Sequence, residues 1–349
     1  MYKLVVGTVK GGFIFSSEDR RSWKSEETIF RGWKVTAVSR SLSGRFLAGV
    51  SSFVYGTVVH VSDDLANWRQ IEAGPGYDDE SGLKLEQIWR FNTATDTLYV
   101  GVAEAGLFRS EDDGESWQPV EALNQHSTRE NWVPGFGGMC AHALLVNPRN
   151  PDQIWCGISA VGVFRSDDGG VSWNAKNNGV TKTVADIEHN DIGYCVHALV
   201  ADPDDADIIY RQDHMGMYRT HNGGDTWENI ENGLPSGFGF PIAIDQRTRA
   251  LFAFPQESSE YRMPPSGQFQ VYRSRDGGDS WQLAADGDNP SSLAGVLRGS
   301  LVVDSDDPCG VYAGTTSGTV HVSADCGDSW QVLPATLPRI LCVEIFVNL

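Results

Sequence analysis

Positive charge is scarce in this 349-residue chain. Lys and Arg number 27 against 46 Asp and Glu, for a formal net charge of −19. That balance speaks against a nucleic-acid binder, which needs basic patches against phosphate. It also speaks against an anionic membrane surface. No run of about 18 apolar residues is present, so no membrane span is expected. The N-terminal MYKLVVGTVKGG enters a strand pattern directly, without the charged, apolar and small-residue layout of a secretion signal. The expected location is therefore cytoplasmic. Cysteine is sparse: Cys140, Cys156, Cys195, Cys309, Cys326 and Cys342, with no CxxC pair. In a cytoplasmic chain of this size these read as free thiols rather than a disulfide framework. The partner expected is a small polar molecule or a carbohydrate, and the chain is expected to be a monomer or a weak homo-oligomer.

Glycine, by contrast, is abundant, with 38 residues, and one nonapeptide recurs. Residues 165–173 read RSDDGGVSW, 109–117 RSEDDGESW, 219–227 RTHNGGDTW, 273–281 RSRDGGDSW and 322–330 VSADCGDSW. Two degraded copies precede them, SSEDRRSW ending at Trp23 and SDDLANW ending at Trp68. The seven closing tryptophans lie roughly 45 to 56 residues apart, a period suited to a blade of short strands. Each copy reads as a hairpin turn. The Asp accepts hydrogen bonds from backbone N–H groups ahead of it. The Gly takes a positive φ without steric cost. The Trp buries a large ring beside the turn. Because these acids repeat at one turn position, they are expected to be structural.

The pattern resembles the Asp-box, or BNR-repeat, propellers, which include sialidases, xyloglucan-degrading glucanases and sortilin-type receptors. Over its whole length the chain is similar to single-ring, sialidase-like proteins labelled glycosyl hydrolase. The resemblance implies an all-β fold and, more weakly, a glycosidase. A typical sialidase is not expected. The Arg-Ile-Pro start of that family is missing, and Arg20 and Arg21 fall inside a degraded turn. Xyloglucanases of this type use two propeller domains with a cleft between them, whereas this chain holds repeats for one ring.

Within a repeat the template is 196–203, 208–212, 217–220 and 226–230, four antiparallel strands. The N-terminus starts out of phase, with 4–8 and 13–16 matching the second and third strands. The apolar run 340–347 has no repeat turn after it and can supply the missing innermost strand, which removes an edge. The fold expected is all-β: a seven-bladed β-propeller over 1–349, a single domain whose ring is closed by the C-terminal strand completing the N-terminal blade. In such a meander the repeat turns share one face. The long loops 70–85, 118–139, 174–194, 282–297 and 256–268 fall on the other, where function usually sits.

That face holds the candidate residues. Cys140/His142 and Cys195/His197 occupy equivalent positions in neighbouring blades, and His214 follows in the next loop. Imidazole is the commonest metal ligand, so His142, His197 and His214 are candidate ligands for Zn or a similar divalent ion. Asp213, Glu188 and Glu104 are candidate catalytic carboxylates. His126, Arg129, Trp132, Tyr194, Arg298 and Tyr261 suit a polar organic ligand. Three functions stay open. One is a metal-assisted hydrolase or lyase with its pocket at blades four and five. The second is a glycoside hydrolase with paired loop carboxylates. The third is a non-catalytic ligand- or protein-binding propeller.

Overall fold

The computed structural model describes residues 1–285 and 292–349, so the loop expected at 282–297 lies partly outside the described residues. Strand dominates. Among the described residues, helix is confined to one turn at Glu121–Asn124 and two 3-10 turns at Asp79–Ser81 and Arg129–Asn131. The chain divides into two compact units. One comprises Met1–Gly32, His197–Gly223 and Trp227–Leu349, the other Trp33–Val196 and Gly224–Thr226.

The second unit holds three four-stranded antiparallel sheets. In sequence order their strands are Lys34–Arg40, Phe46–Ser52, Gly56–Ser62 and Arg69–Gln70; Gln87–Asn92, Leu98–Ala103, Gly106–Ser110 and Gln118–Pro119; and Ala141–Asn147, Asn150–Ile158, Gly162–Ser166 and Asn174–Ala175. Leu98–Ala103 is buried along its whole length because sheets cover both of its faces. The fourth strands are only two residues long and polar, which blunts each outer edge. Sheets approach closely at Gly101, where any Cβ would collide with the Ala141 carbonyl. Between them pack Leu47, Val59, Ile88, Val100, Phe108 and Trp117, and next to these Leu144, Cys156, Phe164 and Trp173.

The first unit holds two four-stranded sheets and one of eight strands. The four-stranded sheets run Ala198–Ala201, Ile209–Gln212, Met217–Thr220, Glu228–Asn229 and Gly239–Ile244, Leu251–Pro255, Tyr272–Ser274, Gln282–Leu283. The C-terminal strand Ile340–Val347 pairs with Tyr2–Thr8 from Tyr2↔Val347 to Thr8↔Ile340. It meets Val296–Val303 at a single parallel bridge, Gly299↔Cys342. The apolar side chains of the C-terminal strand enter a core with Leu4, Val6, Tyr312 and Val322.

The repeat turns share one hydrogen-bond pattern. Asp112, Asp168, Asp276 and Asp325 each accept from the backbone N–H and hydroxyl of the serine four residues on. The indoles of Trp117 and Trp173 donate to the carbonyls of Gly114 and Gly170. The two degraded copies keep the same logic in a turn one residue shorter. Asp19 accepts from Ser22, and Asp64 from Asn67. Trp23 and Trp68 still donate three residues back. The residue after the acid is left-handed here too, Arg20 (φ 60°) and Leu65 (φ 66°), as are Asp113 and Cys326 in two of the longer turns and glycine in the other two.

One expectation about cysteine is corrected. Cys309 and Cys326 form a disulfide, with Cα atoms 4.8 Å apart, while Cys140, Cys156, Cys195 and Cys342 are buried thiols outside any disulfide. The pairing joins the start of one strand to the following repeat turn, two places brought together by the hairpin rather than by sequence spacing.

Candidate functional site

The 120–140 loop is largely self-satisfied. A carbonyl can only accept, so the His126 Nε2 that meets the Trp173 carbonyl at 3.3 Å carries the proton. Nδ1 then accepts from the Thr128 hydroxyl at 2.8 Å. That hydroxyl oxygen in turn accepts from the Trp132 indole at 2.9 Å. Trp132 is buried, and the Arg129 guanidinium lies 5.0 Å from its ring while donating to the Ala105 carbonyl. His126, Arg129 and Trp132 were expected to meet a ligand. In the structure they clamp the loop to the sheet before it, at Ala105, and to the sheet after it, at Trp173.

What the clamp presents is its neighbour. Glu130, Asn131 and Val133 line an open cavity of about 580 Å³ together with Asp186, Ile187, Glu188 and His189 from the 174–194 loop. Lys182 shapes this second loop by donating to the carbonyls of Ile187 and His189. The Gly193 amide donates to Val161, and the Tyr194 hydroxyl to Asn190. Tyr194 borders a separate polar cavity of about 400 Å³ with Lys176, Asn190 and Asp225. Of the expected carboxylates, Glu188 therefore sits in a groove with two other acids. Glu130 was not singled out from sequence; its position between Arg129 and Trp132 was the available signal. Glu104 is half-buried, and its carbonyl accepts from the Tyr77 hydroxyl. His142 is buried, its ring 5.8 Å from that of Trp89.

The remaining candidates belong to the first unit. Asp213 and Arg211 are both fully buried and paired, Nη2 to Oδ2 at 2.7 Å. Asp213 also accepts from the Met215 amide at 3.0 Å. Burial pushes its carboxyl up, and the guanidinium and two backbone N–H groups oppose that push. Asp213 was expected as a candidate catalytic base; in the structure its carboxylate is buried and fastens the 213–216 turn from inside. His197 immediately precedes the first strand of its sheet, and its Nδ1 meets the Gly239 carbonyl at 2.6 Å. The ring nitrogens of His197 and His214 come within 4.8 Å of one another. Phe238 and Phe240 pack against His197, and Arg262 and Arg298 stack on Phe240. Burial first, then the nearby arginines, hold both imidazoles below their ordinary value, His197 far below. Tyr261 is exposed beside Arg262.

No family model matches the chain. It is 24% identical over 218 residues to a probable oligoxyloglucan-reducing end-specific xyloglucanase of Neosartorya fischeri, covering 60% of this chain and 24% of that protein. To a xyloglucanase of Paenibacillus sp it is 20% identical over 303 residues, 77% of this chain and 26% of that one. The chain thus spans about a quarter of the length of the curated relatives it matches. Among solved structures, a functionally unknown protein from Desulfotomaculum acetoxidans superposes with a TM-score of 0.58 at 11% identity, covering 99% of this chain and 98% of that one. An ancestral GH74 enzyme gives 0.57 at 17% identity, covering 82% and 36%. YCF48 from Cyanidioschyzon merolae gives 0.54 at 12%, covering 88% and 89%. The likeness shows a β-propeller fold.

Proposed function

We propose that the chain is a single seven-bladed propeller with Asp-box turns that binds a polar saccharide and hydrolyses it with paired loop carboxylates. The blade count is supported by the sheets: the eight-stranded one divides at its single bridge into two four-strand meanders, beside five others. Pairing of Ile340–Val347 with Tyr2–Thr8 would close the ring. The saccharide is supported by the likeness to xyloglucanases.

The observation that carries the reaction is the groove lined by Glu130, Asp186 and Glu188. Glycosidases place two carboxyl groups about the scissile bond. One protonates the leaving oxygen, and the other activates water or attacks the sugar. This groove draws acids from two loops, so carboxyl groups can approach a bound sugar from two sides. Asn131 and His189 add donors for sugar hydroxyls.

The test is release of aryl aglycone and of reducing ends from xyloglucan oligosaccharides. Glu188→Gln is expected to lower the rate by about 10²- to 10⁴-fold, the usual share of an acid or base group, with melting temperature unchanged. Saccharide binding without turnover in the wild-type protein would replace this reading with a non-catalytic binder.

A further inference from the structure

The last repeat in the first unit pairs the strands Val296–Val303, Val311–Thr315, Val320–Ser323 and Gln331–Val332. Beside it opens a cavity of about 470 Å³, lined among others by His321, Val332, Thr316, Thr319 and Leu293. That volume lies in the range of small-molecule sites, about 300–1,000 Å³.

The walls follow from strand register and turn closure. His321 stands opposite Val332 across the two paired strands, so both side chains leave the same face of the sheet. The 315–319 turn forms a second wall. The Thr315 amide donates to the Thr319 carbonyl, and the Thr319 amide donates to the Thr315 hydroxyl. Closure thus uses the Thr315 hydroxyl and does not consume those of Thr316 and Thr319. The Thr316 amide donates to the Gly295 carbonyl at 2.9 Å and ties this turn to the loop that carries Leu293.

His321 is the second, independent sign of a ligand. It is 2% exposed, and its ring stacks on Phe269 at 3.6 Å. Trp330 packs against Phe269 at 5.2 Å, which holds the stack in place. The His321 Nδ1 is enclosed and has no hydrogen-bond partner. An enclosed N–H without a partner is rarer than an enclosed lone pair, so the proton belongs on Nε2. Burial lowers the imidazole to about 4, which keeps it neutral at pH 7. What the ring offers a ligand is a fixed, uncharged donor. It suits a hydroxyl or carbonyl oxygen and gives an anion no charge to pair with.

Leu293 and Val332 are exposed and apolar, whereas the two threonine hydroxyls both donate and accept. A pyranose has the matching surfaces: C–H faces for the apolar side chains, and a rim of hydroxyls for the polar ones. We propose that this cavity binds one uncharged pyranose unit, a sugar oxygen accepting from His321 Nε2 and further sugar hydroxyls pairing with Thr316 and Thr319. The acidic groove belongs to the other unit, so this site does not depend on the hydrolase reading.

The test is imidazole nitrogen NMR on the full chain labelled at histidine, titrated with D-xylose, D-glucose and N-acetylalanine methylamide. The His321 signal is identified by its loss in His321→Phe, which keeps a ring on Phe269. The expected result is an Nε2–H tautomer whose Nε2 signal moves saturably with at least one sugar. Thr316→Val/Thr319→Val, at half-buried turn positions, keeps the side-chain shape and is expected to raise the sugar Kd about tenfold or more, the worth of one hydrogen bond. Glu188→Gln, in the acidic groove, is expected to leave that Kd unchanged. An Nδ1–H tautomer, a signal that neither sugar moves, or an unchanged Kd in the folded double variant would overturn the proposal. A response lost in Glu188→Gln would overturn it too, by assigning the sugar to the groove. A response to the methylamide alone would replace it with a peptide site.

Discussion

Asp168 and Asp213 are both aspartates at turns, and their surroundings give them different work. Asp168 lies at the protein surface, where the Ser172 hydroxyl and amide hold its carboxyl below the usual range. Asp168→Ala should lower the melting temperature and leave saccharide affinity unchanged; a selective loss of affinity in folded protein would contradict the structural role. Trp173, buried beside that turn, should cost about 3–5 kcal/mol on truncation to Ala. Asp213→Ala would leave Arg211 charged and unpaired in the interior. Removing one partner of a buried pair costs about 3–5 kcal/mol, so chemical denaturation should show a loss of that size. Asp213→Ala protein of wild-type stability would show that the pair is not what fastens the turn. The motif made Asp168 legible from sequence. Asp213 looked equally available there, because nothing local says that Arg211, two residues back on the same strand, turns its guanidinium onto it.

Strands and turns set the next scale. The strands 209–212 and 217–220 were legible almost to the residue, since apolar alternation and the following turn bracket them. The fourth strands shrank to two residues because only two positions pair before the chain leaves for the next sheet. The turns at Asp19 and Asp64 are one residue shorter than the full repeat and hold no glycine, yet they fold alike. Their side-chain and indole bonds offset the strain of a left-handed Arg20 and Leu65. The C-terminal strand carries the clearest test at this scale. Ending the chain after Arg339 removes the partner of Tyr2–Thr8 and exposes Leu4 and Val6. Aggregation, or loss of a single cooperative melt, is the expected outcome; a soluble truncation with an unaltered melting curve would refute it.

Across the molecule, acid should act in two stages. His321 is buried against Phe269, their rings stacked 3.6 Å apart, and burial lowers its imidazole to about 4. Burial lowers the His197 imidazole as well. A lowered imidazole favours the unprotonated folded state. Its contribution is therefore whole above the ordinary value near about 6.5 and is lost as pH falls from there toward about 4. Each such group gives a slope approaching about 1.4 kcal/mol per pH unit in that window. The turn carboxylates work lower. Asp168, Asp276 and Asp325 are depressed, so their share is present above the unfolded carboxylate value near about 3.9 and disappears below it. Denaturation midpoints measured from pH 7 to pH 3 should show both stages, and His321→Phe should flatten the first. An unchanged slope between pH 6.5 and 4.5 in that variant would count against the assignment.

By itself the sequence determined the period, the acceptor at each repeat turn and the out-of-phase start that needs a strand from the far end. These are local or periodic properties, and a chain writes them plainly. The tertiary structure decided which loop residues come together and which are buried. His126 and Trp132 turned inward because the Trp173 carbonyl and the Thr128 hydroxyl lay within reach. Glu130 came to share a groove with Glu188 across more than fifty residues of sequence. Phe238 and Arg262 joined His197 from two further loops. Such meetings depend on the stacking of neighbouring sheets, which positions side chains by their distance in space and leaves no trace in spacing along the chain.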